Sequence, residues 1–147
     1  MRPKQIFISK SAEETRALSK KIALTLKGGD ILALEGNLGA GKTTFAKGLG
    51  KGLGVKSVMR SPSFNLMKIY PTENKNEINL LIHLDCYRLN SAQEVMETGL
   101  LDYLGKKGTV TVIEWPEKIK NLLKNFKLRK IKFEIKGEGK RKITAFS

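Results

Sequence analysis

The chain has 147 residues, 40% hydrophobic and 29% charged, with one cysteine and a formal charge of +14 from 28 Lys and Arg against 14 Asp and Glu. That size and balance specify one globular domain over residues 1–147, able to bury a core without staples. Cys86 alone excludes an internal disulfide and fits a reducing, cytoplasmic setting. MRPKQIFISK lacks the apolar centre of a signal peptide, and no apolar run nears the ~18 residues of a membrane span, so no membrane association is expected.

The charge is concentrated. Residues 117–147 hold 11 basic and 3 acidic side chains. Such an excess attracts polyanions by counterion release, which makes RNA a candidate partner, contacted indirectly or through this segment. The other reading is a solvated lysine-rich surface.

QIFIS reads as a short strand. Ser11 with Glu14 three residues on forms a capping-box pattern, opening a helix whose Leu18, Ile22 and Leu26 make one apolar stripe before Gly28-Gly29-Asp30. Ile31 to Leu34 is apolar without alternation, as in a strand buried on both faces of a parallel sheet. A glycine-rich loop follows, then a helix from Thr43 to Leu53 stopped at Gly54. Phe64–Tyr70 and Ile78–Asp85 read as an antiparallel pair around PTENKNE, and Ser91–Glu97 as a short helix. Thr109–Glu114 is another apolar strand, after which Pro116 can open a helix. Lys130–Ile135 and Lys142–Phe146 are closing strands around the turn KGEGK. The alternation predicts an α/β fold: a three-layer sandwich of the P-loop NTPase type, with a mostly parallel central sheet and antiparallel additions.

Gly36-Asn37-Leu38-Gly39-Ala40-Gly41-Lys42-Thr43 fits G-x-x-x-x-G-K-[ST] at every fixed position. Glycines let successive backbone N–H groups turn inward around phosphate oxygens, and the following helix presents its positive end to the same anion. Lys42 adds a mobile charge for the terminal phosphates, and the Thr43 hydroxyl can ligate Mg²⁺. The alternative is a structural turn. Thr44 is expected mainly to open the helix. Such a loop needs an acid at the tip of a neighbouring buried strand. Two qualify: Asp85, ending LLIHLD, and Glu114, ending TVTVIE. Carboxylates there are costly unless paired, and both belong at the edge where parallel sheets bind ligands. The competing role for either is a structural pair, with Arg88 or a helix N-terminus.

His83, the only histidine, shares the Asp85 face by strand parity, where it either orients a carboxylate or serves as a structural hydrogen-bonding residue. Trp115 belongs on the face opposite Glu114 if the strand persists, as core or as a partner surface. Cys86 has no clustered Cys or His and is not expected to bind metal.

Together GNLGAGKTTFAKGLGKGLG, SPSFNLMKIY, HLDCYRL, EVMETGLLDYL and IEWPEKI, in this order, resemble the TsaE (YjeE) family of bacterial P-loop ATPases over nearly the whole chain. The resemblance implies ATP as substrate, Mg²⁺ held by Thr43 and Glu114, Lys42 on the terminal phosphates and Asp85 needed for hydrolysis. It implies nucleotide contacts from Asn37, Leu38, Gly39, Ala40, Gly41, Lys42, Thr43 and Thr44. It places adenine between the first helix start, Ser11 and Ala12, and the turn at Gly139 and Lys140, with Lys140 where the family often has arginine. Ser61-Pro62-Ser63-Phe64 would be a switch-like loop, Ser63 standing for the usual threonine. Finally, it implies slow ATP hydrolysis that drives or resets a TsaB-like and TsaD-like pair forming threonylcarbamoyladenosine in tRNA. The rival classes are a small-molecule kinase, which needs an acceptor pocket and a basic lid, and a basic RNA-binding module without catalysis.

Overall fold

The structure, a computed structural model, describes residues 3–60, 66–73 and 75–146. Ser61, Ser63 and the expected strand start at Phe64 lie outside them. The described strands are β1 (Pro3–Ser9), β2 (Ile31–Gly36), β3 (Met67–Pro71), β4 (Leu80–Asp85), β5 (Thr109–Glu114), β6 (Arg129–Ile135) and β7 (Arg141–Phe146). They form one seven-stranded sheet in the order β1-β7-β6-β2-β5-β4-β3. The centre, β6-β2-β5-β4, is parallel, and the flanking pairs are antiparallel. The fold is therefore mixed α/β, parallel where it is most buried, in keeping with the unbroken burial of β5 and of residues 31–34 in β2.

The sheet is covered on both faces. Helices α1 (Ala12–Ala23) and α2 (Lys42–Gly52) bury Ile22, Phe45 and Leu49 against Leu32, Leu34, Val112 and Phe133. Phe45 meets Phe133 edge-on, ring centroids 5.3 Å apart, an arrangement that adds about 0.5–1.5 kcal/mol beyond burial. On the other face α3 (Ala92–Met96), α4 (Lys120–Leu123) and the turns beside them bury Val95, Leu100, Ile119 and Leu123 against Ile31, Ile82, Leu84 and Ile113. Among the described residues no helix is long and apolar enough to cross a membrane.

Helices α1 and α2 approach closely because α2 presents glycine. A methyl on Gly48 would lie 2.8 Å from Arg16 Cα, and one on Gly52 would lie 3.1 Å from Lys20 Cα. Both contacts step along by four residues, so the two helices run side by side in the same direction.

Several elements differ from expectation. Helix α1 ends at Ala23, and the chain reaches Leu26 through turns. Ser11 caps the Glu14 amide, but the Glu14 carboxylate accepts from Lys10 N rather than Ser11 N, so the capping box is offset by one residue. Pro116 opens a 3-10 turn to Ile119, and only then does α4 begin.

Candidate functional site

The loop after β2 turns on its glycines. At Gly36 a side chain would meet the Phe133 carbonyl at 2.7 Å, and Gly41 has φ 103°, a conformation that β-carbons resist. Gly41 occupies the N-cap of α2, so no side chain caps that helix. The first α2 amide bonded to a backbone carbonyl is that of Phe45, to Gly41 O at 2.9 Å. The N–H groups of Lys42, Thr43 and Thr44 before it have no such partner among the described residues. An uncapped helix start with unbonded amides and a positive dipole end is an anion cradle.

Parallel register carries two acids to this edge. Asp85 of β4 and Glu114 of β5 are direct partners, and Glu114 is also level with Leu34 of β2. Glu114 is 2% exposed yet satisfied on both oxygens. His83 Nε2 donates to Oε2 at 2.6 Å, and the Thr43 hydroxyl donates to Oε1 at 2.9 Å. The bond from His83 runs diagonally, since His83 is level with Val112. Asp85 is half-buried and accepts from the Tyr87 amide at 3.0 Å. Burial pushes its carboxyl above the ordinary range, as does the Glu114 charge, against the lowering effects of the Tyr87 amide, His83 and Lys42. Burial, with neighbouring acids, pushes the Cys86 thiol up to about 12, which leaves it unreactive.

Lys42 is 4% exposed. Its ammonium donates to Gly36 O at 2.5 Å and lies 3.5 Å from the centroid of the Trp115 ring. Burial pushes its pKa down, opposed by Glu114, Glu117 and Asp85. Trp115 does not take the face opposite Glu114. Its φ of 58° breaks the strand and turns the ring into the site, 5.0 Å from Tyr87.

These groups line a cleft of about 470 Å³, bounded by the loop residues Leu38, Gly39, Gly41, Lys42, Thr43 and Thr44 and, opposite them, by Leu66, Asp85, Tyr87, Arg88, Glu114 and Trp115. Thr44 is thus a lining residue as well as a helix opener. Arg88 is exposed and makes no ion pair among the described residues. Asn37 and Ala40 stand outside the lining: the Asn37 carbonyl accepts from the Ala40 amide, and Ala40 is buried. Ser11, Ala12, Gly139 and Lys140 are also outside it, yet the fold brings their segments together. A methyl on Gly139 would lie 3.5 Å from Lys10 O. The guanidinium that ties this turn to the loop is that of Arg141, which donates to Gly39 O at 3.1 Å and to Lys140 O at 3.0 Å. Sequence reasoning misses Tyr87 and Arg141 at this site. Tyr87 has a signal, its position two residues after a strand-tip acid; Arg141 has none.

Among the described residues no three His, Cys, Asp or Glu converge on a metal position. The oxygens of Thr43 and Glu114 instead make a partial shell of hard ligands. That donor set suits Mg²⁺, which keeps several waters and shares phosphate oxygens rather than occupying an all-protein cage.

A sequence model described as threonylcarbamoyl adenosine biosynthesis protein TsaE matches residues 9–143. The chain belongs to the TsaE family. The TsaE of Bacillus subtilis (strain 168), named a tRNA threonylcarbamoyladenosine biosynthesis protein, is 39% identical over 132 residues, 90% of this chain and 78% of that protein. The identically named TsaE of Treponema pallidum (strain Nichols) is 34% identical over 137 residues, 93% of this chain and 96% of its own. In three dimensions the chain is similar to the crystal structure of Bacillus subtilis YdiB, with TM-score 0.76 and 32% identity, covering 99% of this chain and 86% of that one. The strand-tip acids, the loop and Trp115 all lie within the matched TsaE segment.

Proposed function

We propose that this TsaE-family chain is a P-loop ATPase that binds ATP with Mg²⁺ in the cleft and hydrolyses it. In this reading it works in the cytoplasm beside TsaB-like and TsaD-like proteins, and its turnover drives or resets their formation of threonylcarbamoyladenosine in tRNA. The observation that carries the ATPase reading is the joining of Thr43 to Glu114 at the uncapped start of α2, next to a desolvated Lys42. The family's printed role in threonylcarbamoyladenosine biosynthesis supports the pathway.

Each residue has a distinct task. The amides of Lys42, Thr43 and Thr44 and the Lys42 ammonium hold phosphate oxygens, and Lys42 exchanges Gly36 O and the Trp115 face for them. Thr43 and Glu114 would hold the metal, which when bound would neutralise charge on the phosphate oxygens, and His83 fixes the Glu114 carboxylate. Glu114 is turned to Thr43 and the metal side, and Asp85, whose proton affinity burial raises, is the acid that aligns the attacking water and takes its proton. Its raised pKa moves it toward the operating pH, as a general base requires. Arg88 brings a cation from the cleft wall toward the developing charge. Among the described residues the cleft leads to no second set of reactive side chains, so threonylcarbamoyl transfer is assigned to the partners.

The test is phosphate release from ATP by the chain alone, then with the purified partner pair and tRNA. Slow release that the partners and tRNA accelerate is expected. Transfer of phosphate to an acceptor, or rates indifferent to the partners, contradicts the reading.

A further inference from the structure

The chain's positive charge is unevenly compensated. The sequence concentrates it after residue 116, where the fold pairs five of the eleven basic residues with acids and leaves Lys118, Lys120, Lys124 and Lys127 exposed without a carboxylate partner among the described residues. Lys130 lies 3.2 Å from Glu35, Lys132, Lys136 and Lys142 lie 3.4 to 4.0 Å from Glu134, and Arg129 lies 3.5 Å from Asp30. Arg141 is engaged with the loop. The α1–α2 face carries another unpaired group, and there the cations stand in two neighbouring rows. Arg16 and Lys20 on α1 and Lys47 and Lys51 on α2 are all exposed, and none has a carboxylate partner among the described residues.

The glycine contact makes these cations one patch. With Arg16 Cα against Gly48 and Lys20 Cα against Gly52, the pairs Arg16/Lys20 and Lys47/Lys51 run alongside each other. Each pair has i, i+4 spacing, about 6 Å along its helix. Like charges at that spacing oppose the helix. Lys20 and Lys51 are in last turns, where the helix dipole offsets the repulsion. Arg16 and Lys47 are a turn earlier and lack that reason. On α1, Glu14 is held by the Lys10 amide, leaving Glu13 in the first turn as the acid on that end.

We propose that this ridge binds an RNA phosphodiester backbone. A double row of uncompensated cations complements a polyanion whose charges repeat along a strand, and binding releases that polyanion's counterions. That the polyanion is RNA rests on the proposed place in tRNA modification; the cationic ridge does not. The ridge runs along the exposed side of the helix that begins at Lys42, whereas the nucleotide sits at the start of that helix.

The test is fluorescence anisotropy with an unmodified tRNA transcript across a salt series. It compares the wild type, Arg16→Gln/Lys20→Gln/Lys47→Gln/Lys51→Gln, and Lys130→Gln/Lys132→Gln/Lys142→Gln. The ridge variant is expected to bind at least tenfold more weakly, with the slope of log K on log salt reduced by roughly three units. The second variant should stay within about threefold of the wild type. ATP binding, measured by calorimetry, should be equal in all three and serves as the fold check; if the fourfold variant misfolds, the α1 and α2 pairs are tested separately. Absent wild-type RNA binding, an unchanged ridge variant, or an equal loss in the second variant overturns the proposal. So does a ridge effect confined to phosphatidylglycerol vesicles. Failure of wild-type ATP binding would strike the nucleotide reading and leave the RNA result standing.

Discussion

The tips of β5 and β4 are level with each other in the sheet and end in the same chemistry, yet they are built oppositely. Glu114 is almost fully buried and held by a hydrogen bond at each oxygen. Asp85 is half-buried, accepts from the Tyr87 amide, and has its carboxyl pushed upward by burial. A rigid carboxylate that keeps a lone pair on each oxygen suits a metal ligand. A desolvated one whose proton affinity is raised suits proton transfer. The difference comes from the neighbours: the His83 ring and the Thr43 hydroxyl are both aimed at Glu114.

Replacing Glu114 by Ala removes the carboxylate that His83 and Thr43 hold and should have the largest effect. Mg²⁺-dependent turnover is expected to fall by more than about a hundredfold. His83 and Thr43 lose their buried partner, and stability should drop by about 1–3 kcal/mol, measured by urea unfolding. Asp85→Asn alters the other acid. Turnover should fall by roughly a hundredfold while Mg²⁺-ATP affinity holds within about threefold. Stability should move the opposite way. A carboxyl raised in the folded state stabilises fully below its ordinary value of 3.8, and that contribution is lost as pH rises through the raised value. A neutral amide in its place has no such loss, so the Asp85→Asn variant should gain on the wild type in melting temperature as pH rises through that window. His83→Ala is the finer probe. Mn²⁺ affinity read by electron spin resonance should weaken about tenfold. Turnover should recover at saturating metal, and His83→Gln should restore part of the affinity through its amide donor.

The asymmetry was only half legible in the sequence. The loop pattern and the apolar runs ending in Asp85 and Glu114 name both acids, because a buried parallel strand leaves few other reasons for a terminal carboxylate. Strand parity puts His83 on the correct face. It cannot say that the ring reaches diagonally to β5, since that depends on strand order. Alternation puts Trp115 opposite Glu114 only if the strand continues, and the left-handed backbone at that residue ends it. The link from Arg141 to Gly39 spans 102 residues and exists only once β7 closes the sheet. Charge density along the chain marks residues 117–147, but pairing across strands decides which of those cations remain uncompensated.

The central claim is that the loop and Lys42 hold a triphosphate, and calorimetric titration of ATP into the wild type and Lys42→Ala, with and without Mg²⁺, tests it most directly. Saturable, Mg²⁺-strengthened binding in the wild type, weakened at least thirtyfold in the variant, is the predicted result. Equal affinity in the two proteins, or no binding to the wild type, would contradict it.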